Sequence, residues 1–221
     1  MKTPKKFAVI LAGCGHKDGA EIQESVMALY AIARAKSTYE VFAPDINQHH
    51  VINHLTGQPA DETRNVLVEA ARIARGKIRP LSEFKDQDFD VLMFAGGFGV
   101  AKNLCTYAFD GADCTVNPEV EKAVKSMHKA GKPIGALCIS PVILAKVLNN
   151  VTITMGQDPS AIQNVKKMGA NHETTNAQEI VVDKKNKVVT NPCYMLDSNI
   201  VDIAEGAMNT VNALLELCPL P

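Results

Sequence analysis

The strongest candidate for chemistry in this sequence is Cys138, in the run Gly135-Ala-Leu-Cys138-Ile-Ser-Pro141. The apolar segment Ile134–Leu137, typical of a buried strand, ends at this cysteine. The pair Ser140-Pro141 favours a helix start directly afterwards, since proline suits the first helical turn. So short a strand-to-helix turn exposes the thiol and leaves the next backbone N–H free for an oxyanion. The dipole of the following helix is also expected to lower the pKa of the thiol. The sequence therefore predicts a nucleophile, with a buried, unreactive cysteine as the alternative.

Two glycine-rich turns also follow apolar runs, Gly13-Cys14-Gly15 and Gly96-Gly97-Phe98-Gly99. Neither has the spacing of a nucleotide-binding loop, since Asp18 occupies the position of the third glycine in the first turn. Ligands of parallel sheets bind at the carboxyl ends of strands, so both turns are expected near Cys138. Asn103, beyond the second turn, either positions a polar substrate or caps a helix.

Alternating apolar strands and amphipathic helices must position these residues. Strands that are apolar at every position indicate a parallel sheet covered on both faces, so the sequence predicts one doubly wound α/β domain over residues 1–221. In the first helix, Ile22, Val26 and Tyr30 are predicted to face the core, and Asp61 is predicted to cap the second. The predicted strands cover residues 7–11, 39–43, 91–95, 134–137, 151–155, 180–182 and 188–190. The predicted helices cover residues 22–35, 61–75, 118–130 and 141–148, with a last helix from residue 200.

Composition excludes several classes of protein. The net charge is −1, aromatic residues make up 5% of the chain and tryptophan is absent. A nucleic-acid-binding protein needs an excess of basic residues or aromatic stacking platforms, so neither duplex nor single-strand binding is expected. No segment approaches the roughly 18 apolar residues of a membrane span.

The six cysteines lack CxxC spacing and indicate reduced thiols rather than a disulfide framework, so the sequence predicts a cytoplasmic protein. The segment Leu11-Ala-Gly-Cys14 resembles a lipoprotein cleavage box, but the apolar run before it is too short for a signal peptide. Cys14 and Cys193 follow predicted strand ends, so each is either a pocket residue or a small apolar filler.

The histidines do not predict a metal site. His49, His50 and His54 are close in sequence, but they lie in a polar loop with no regular spacing to fix their geometry. His16, next to the first glycine pair, is interpreted as a solvated loop residue, with a position at the mouth of the site as the alternative. No metal and no cofactor are therefore expected.

Together these motifs resemble the PfpI superfamily, which has the flavodoxin-like fold of class I glutamine amidotransferases, and within it the ElbB-type proteins. The ElbB-type proteins are known as glyoxalases or as isoprenoid-biosynthesis proteins with an amidotransferase-like domain. The resemblance covers nearly the whole chain. The segments that carry it are 11–21, Gly19-Ala-Glu-Ile-Gln-Glu24-Ser25, 51–57, 62–68, 96–103, 114–117 and the turn at Cys138.

The resemblance implies a role for each matching residue. Cys138 matches the nucleophile, and Glu24 matches the helix-borne acid that shares a proton with it, with Glu21 as the alternative acid. Gly97 and Ile139 would donate backbone N–H groups to an oxyanion. The resemblance also implies a homodimer.

One departure from the superfamily pattern bears on the reaction. Proteases of the group place histidine directly after the nucleophile, where this chain has Ile139. A Cys–His hydrolase would then lack a proton donor for an amine leaving group. The expected activity is therefore a low-turnover, glutathione-independent glyoxalase reaction on small 2-oxoaldehydes, with Glu24 as proton shuttle. A thiol redox sensor, an accessory factor in isoprenoid metabolism and an amidotransferase-like subunit remain as alternatives.

Overall fold

The central feature of the fold is a seven-stranded sheet in the order β3-β2-β1-β4-β5-β9-β8, seen in a computed structural model that describes residues 4–219. All neighbouring pairs are parallel except β8 and β9. A separate two-stranded sheet pairs β6 with β7. The strands are β1 (Lys6–Ile10), β2 (Thr38–Ala43), β3 (Ile78–Pro80), β4 (Val91–Phe94), β5 (Ile134–Leu137), β6 (Thr152–Ile153), β7 (Asn171–His172), β8 (Val181–Asp183) and β9 (Val188–Asn191).

Helices cover both faces of this sheet. In β1, Ala8 and Ile10 pack in one apolar cluster and Phe7 and Val9 in the other, because successive side chains of a strand point to opposite faces. The clusters show that α1, α2 and α7 cover one face and that α4, α5 and α6 cover the other. The helices are α1 (Ile22–Arg34), α2 (Val66–Ile73), α3 (Tyr107–Asp110), α4 (Pro118–Lys129), α5 (Pro141–Leu148), α6 (Pro159–Lys167) and α7 (Ile200–Leu217).

The sheet order places the candidate residues at its topological switch point. From β1 the chain runs outward through β2 to β3, and it then returns to the other side of β1 at β4. The carboxyl ends of β1, β4 and β5 therefore lie side by side, where open α/β sheets bind ligands. The predicted α/β class and the mostly parallel sheet are confirmed.

The predicted core face of α1 is wrong. Ile22, Val26 and Tyr30 are each 44–47% exposed, whereas Ala28 and Ile32 are fully buried. The apolar row at spacing four faces outward, and the face carrying small side chains packs inward, where α1 lies against α7. Hydrophobic spacing alone does not distinguish a core face from an exposed apolar face.

The start of α2 also differs from the prediction. The cap is Asn65, whose side chain accepts from the backbone N–H of Val68 at 3.0 Å, and not Asp61. The residues before Asn65 are held in the preceding loop, where Gln48 N–H donates to Arg64 O at 2.8 Å. The sequence did not predict β3, β7, α3 or α6, and the strand predicted at 151–155 is β6, which pairs with β7 outside the main sheet. Within residues 4–219, no helix combines the length and apolar character needed to cross a membrane.

We expect Gly206→Ala, in α7, to destabilise the protein. A Cβ at this position would lie 2.7 Å from Asn191 Oδ1 and 2.8 Å from its Nδ2. Asn191 is fully buried and its side chain bonds the backbone of Ala177, Glu179 and Cys193, so it has no room to move. Overpacking should cost about 1–3 kcal/mol, although alanine is favoured over glycine in helices by about 1 kcal/mol.

Urea unfolding of the wild type and of Gly206→Ala would measure the change in the free energy of unfolding. The control is Asn212→Ala, on the exposed side of the same helix. The control should change the free energy of unfolding by less than about 0.5 kcal/mol. A Gly206→Ala variant as stable as the control would show that Asn191 is not constrained as described.

Candidate active site

The nucleophile candidate Cys138 lies in a strained turn between β5 and α5. Its φ angle is +60°, a left-handed conformation that costs about 1–2 kcal/mol for a residue with a Cβ. The turn is fixed from two sides, since Cys138 N–H donates to Asn191 O at 2.9 Å and Ser140 Oγ donates to Ala95 O at 2.5 Å. Ser140 thus anchors the turn to the end of β4 and makes no side-chain cap for α5.

Glu24 reaches the same point from the first turns of α1. Its carboxyl group is fully buried and is hydrogen-bonded to the Cys138 thiol. Two backbone groups also donate to it, Gly96 N–H to Oε2 at 3.1 Å and Tyr194 N–H to Oε1 at 3.2 Å. The acid is therefore held by α1, the end of β4 and the turn after β9.

Two glycines allow these groups to meet. A Cβ at Gly96 would lie 2.3 Å from both Cys138 Cβ and Glu24 Oε2. A Cβ at Gly97, whose φ is +98°, would lie 2.4 Å from Glu21 N. A larger residue at position 96 would separate the thiol from the carboxyl group, and one at position 97 would displace the backbone that leads into α1. The glycine turn is therefore a packing requirement of the site.

Burial raises the pKa of both the Glu24 carboxyl group and the Cys138 thiol. Burial, with the charge of Glu21, raises the pKa of Glu24 to about 8 from an ordinary 4.5, although the two backbone donors oppose the rise. Burial and the Glu24 charge also raise the pKa of the Cys138 thiol. The expectation that the helix dipole lowers this pKa is wrong, because desolvation outweighs the dipole for a side chain that is 7% exposed. At neutral pH both the carboxyl group and the thiol therefore carry a proton.

Backbone donors surround the sulfur atom. The N–H groups of Gly97 and Ile139 both hydrogen-bond to Cys138 and favour its thiolate form. These two residues match the oxyanion donors named from sequence. An oxyanion formed on a carbon bonded to this sulfur would lie beside the same donors.

A cavity of about 440 Å³ opens onto Cys138. Larger concavities of about 650 and 700 Å³ elsewhere contain no cysteine or histidine. The cavity is lined by His16, Glu21, Gly97, Phe98, Tyr107, Cys138, Ile139, Asp158, Ser160, Ala161, Tyr194 and Met195.

The structure brings some of the predicted pocket residues to this cavity and not others. Glu21 lines the wall, where its Oε2 accepts from Glu24 N–H at 2.6 Å and caps α1. Cys14, Asn103 and Cys193 do not line the cavity. The Asn103 amide donates to Ala12 O at 3.1 Å and to Asp18 O at 3.0 Å, so it holds the first glycine turn in place.

The two cysteines have other environments. Cys193 is fully buried behind the site, with its thiol donating to Asn191 Oδ1 at 3.0 Å, and burial raises its pKa. Cys14 is partly exposed, and burial and the nearby Glu69 raise its pKa. The sequence pattern correctly places both cysteines after strand ends. It does not indicate on which side of the turn each thiol lies.

Much of the cavity wall was not predicted. Asp158, Ser160 and Ala161 come from the start of α6, and Tyr194 and Met195 come from the turn after β9. The pair Asp158-Pro159 is a recognisable helix start, with Asp158 Oδ1 accepting from Ala161 N–H at 2.6 Å. That signal could have revealed α6, but it does not indicate which helices face the site.

The histidines are dispersed. The rings of His49 and His50 pack against Phe109. His54 lies with its Nε2 3.8 Å from Asp18 Oδ1 and its ring edge-on to His16. His16 itself is exposed and lines the cavity, which agrees with the alternative of a position at the mouth of the site. No cluster of three or more potential metal ligands occurs among residues 4–219.

Comparison with known proteins agrees with the fold described above. The family model described as the DJ-1/PfpI family matches residues 16–193. The human protein "glutamine amidotransferase-like class 1 domain-containing protein 3, mitochondrial" is 45% identical over 96% of this chain and 83% of its own length. The zebrafish "ES1 protein, mitochondrial" is 36% identical over 96% of this chain and 85% of its own length.

A solved structure extends the comparison. The isoprenoid biosynthesis protein with amidotransferase-like domain from Ehrlichia chaffeensis superposes with a TM-score of 0.89 and 35% identity, covering 96% of this chain and 99% of its own. The likeness supports the class I amidotransferase-like fold.

The prediction of a cytoplasmic protein is wrong. The human and zebrafish relatives are both mitochondrial proteins by name. Reduced cysteines indicate a reducing compartment but do not say which one, and nothing else in the composition distinguished the two.

We expect Glu24→Gln to become increasingly stable relative to wild type as the pH rises. The folded protein keeps the Glu24 proton up to about pH 8, whereas the unfolded chain releases it near its ordinary pKa of 4.5. Between these values folding takes up a proton, so each pH unit lowers wild-type stability by about 1.4 kcal/mol. Glutamine does not titrate and lacks this loss.

The measurement is urea unfolding of both proteins from pH 4.5 to pH 8. Glutamine has one acceptor oxygen for two N–H donors, which lowers the variant's free energy of unfolding by about 1–2 kcal/mol at every pH. The test is therefore the slope, against pH, of the difference in free energy of unfolding between variant and wild type. The control Glu119→Gln, in the first turn of α4, should give a flat difference. A flat difference for Glu24→Gln would mean that its carboxyl group is ionised in the folded protein.

Proposed function

Because this chain belongs to the DJ-1/PfpI family, we propose that it is a glyoxalase-type enzyme that converts small 2-oxoaldehydes to 2-hydroxy acids without glutathione. The observation that carries the proposal is the buried, hydrogen-bonded pair of Cys138 and Glu24 at the base of a cavity. We further assign the chain to the ElbB type, on its 35% identity to the isoprenoid-biosynthesis structure.

The reaction begins with addition of the thiol to the aldehyde. The Cys138 sulfur bonds to carbon 1, and the thiol proton passes through Glu24 to the aldehyde oxygen, giving a hemithioacetal. The N–H groups of Gly97 and Ile139 stabilise the negative charge that develops on that oxygen. Because Glu24 keeps its proton near neutral pH, it can donate that proton to the aldehyde oxygen and accept the thiol proton in exchange, so the transfer needs no other group.

A proton then moves between the two carbons. Glu24 donates its proton to the carbonyl oxygen on carbon 2 and, as the carboxylate so formed, removes the proton from carbon 1, which gives an enediol. Glu24 then returns a proton to carbon 2 and takes the hydroxyl proton of carbon 1, which leaves a thioester of the 2-hydroxy acid and a protonated Glu24. Water attacks this thioester, the carbon–sulfur bond breaks, and the proton returns to Cys138. The sum is the addition of one water molecule, so no oxidant, reductant or cofactor is consumed.

Amide hydrolysis fits the site less well. The residue after the nucleophile is Ile139, and no histidine is among the groups that shift the pKa of the Cys138 thiol. An amine leaving group would therefore depart without the imidazole that Cys–His hydrolases use as its proton donor. The glyoxalase reaction has no such leaving group.

A redox-sensor role is the second candidate. The Gly97 and Ile139 N–H groups and a protonated Glu24 would also donate to the oxygens of a Cys138 sulfinate. Burial raises the pKa of the thiol and slows its oxidation, which favours the enzymatic proposal. The homodimer implied by the family resemblance stays a prediction, for which the exposed row of Ile22, Val26 and Tyr30 offers a surface.

We expect Cys138→Ser and Glu24→Gln each to lower turnover of glyoxal and methylglyoxal by at least about 100-fold, the typical worth of a positioned nucleophile or proton shuttle. The assay measures glycolate and lactate formation without glutathione. Cys14→Ser, which removes a partly exposed thiol outside the cavity, is the control and should keep full activity.

Alkylation separates the two roles. Glu24→Gln removes the carboxylate that raises the thiol's pKa, so Cys138 should react with iodoacetamide at lower pH although turnover is lost. Wild-type turnover in Cys138→Ser would refute the glyoxalase proposal. Wild-type turnover in Glu24→Gln would exclude Glu24 as the shuttle and leave Glu21 to be tested. No turnover in any variant, wild type included, would favour the redox-sensor role.

A further inference from the structure

We propose that the cavity selects substrates by charge, favouring carbonyl compounds that carry an ammonium group, accepting neutral ones and excluding anions. Glu21 and Asp158 are the specificity-determining residues. The inference rests on the proposed function only in taking Cys138 as the atom that a substrate must reach. It does not require turnover.

Both carboxylates lie where the fold would otherwise attract anions. Helix N-termini present free N–H groups and a positive dipole end, and they commonly bind anionic groups. The N-termini of α1 and α6 both border this cavity, but Glu21 caps the first and Asp158 caps the second. A negative side chain therefore occupies each anion site.

No positive side chain offsets these charges within the cavity. Among residues 4–219, no lysine or arginine lines it. His16 does line it, but burial and the neighbouring His54 and Lys17 lower its pKa, so its imidazole is neutral at neutral pH. Lys102 does not line the cavity, and its Nζ donates to Lys17 O at 2.9 Å, but its ammonium group also lies 5.6 Å from the centre of the Phe98 ring.

The remaining wall suits a cation. Tyr107 and Tyr194 contribute aromatic rings, and aromatic faces attract ammonium groups, whereas the Phe98 ring already lies beside Lys102. At about 440 Å³ the cavity lies within the usual range for small-molecule sites and exceeds what a three-carbon oxoaldehyde needs. A substrate bound through its aldehyde at Cys138 thus leaves room for a cationic end near Glu21, Asp158 and the rings.

Two thiol reagents of similar size and opposite charge test this selection. In 2-aminoethyl methanethiosulfonate the end group is an ammonium, and in 2-sulfonatoethyl methanethiosulfonate it is a sulfonate. With either reagent the Cys138 thiolate attacks the sulfenyl sulfur, a disulfide bond forms, and methanesulfinate leaves with the electron pair of the broken bond. Mass spectrometry of the Cys14→Ser protein at pH 7 gives the rate of modification at Cys138.

The quantity compared is the cation-to-anion rate ratio, divided by the same ratio for a free thiol. Both reagents react with one thiolate, so a change in the pKa of Cys138 cancels from it. We expect a value of about ten or more for the Cys14→Ser protein, falling about fivefold with each of Glu21→Gln and Asp158→Asn, as removal of one nearby charge at partial screening predicts. Both substitutions retain a side-chain oxygen for the helix cap.

Glu119→Gln, which removes a first-turn carboxylate of α4 outside the cavity, is the matched control and should leave the ratio unchanged. High salt should lower the ratio of the unsubstituted pocket, which keeps the test decisive if a pocket variant fails to fold. A ratio equal to that of the free thiol, or one that persists in both pocket variants, would overturn the inference. A high ratio in a protein without glyoxalase turnover would refute the proposed function alone.

Discussion

The hydrogen bond between the buried Glu24 carboxyl group and the Cys138 thiol is the constraint on which the rest of the site depends. Neither group is stable there as an isolated charge, since burial alone raises the pKa of both. Three chain segments converge to satisfy the acid, namely α1, the end of β4 at Gly96, and the turn after β9 at Tyr194. Glycine at position 96 follows directly, because any side chain there would occupy the space between the two groups.

The sequence predicted this arrangement only in part. The strand-to-helix turn at Cys138 was predicted from local pattern alone, because an apolar strand and a Ser-Pro helix start lie directly against it. Glu24 was not. The helical pattern assigned it to a solvated or pocket-edge position, and the structure buries it completely, whereas Val26, assigned to the core, is 44% exposed. Only the family resemblance singled out Glu24, because a buried acid violates the apolar pattern from which core positions are inferred.

The cavity wall shows a different limit of sequence reasoning. Asp158 and Tyr194 follow β6 and β9 in the chain, yet they meet around a thiol that belongs to β5. Their approach depends on the packing of α6 and on the turn at Cys193, where the backbone is again left-handed with φ +43°. Such positions result from tertiary contacts between segments distant in sequence, and no local periodicity encodes them.

The buried acid also explains why the fold surrounds it with so many fixed groups. An acid that retains its proton to about pH 8 reduces stability at neutral pH, because the unfolded chain gains free energy by ionising. The strained φ of Cys138 adds a further cost. Both costs fall on the two residues that would do the chemistry, and they are offset by the fully buried strands on either side. Strain and a buried acid that meet at one thiol are what a site selected for reactivity would show, since a merely structural cysteine would not need both.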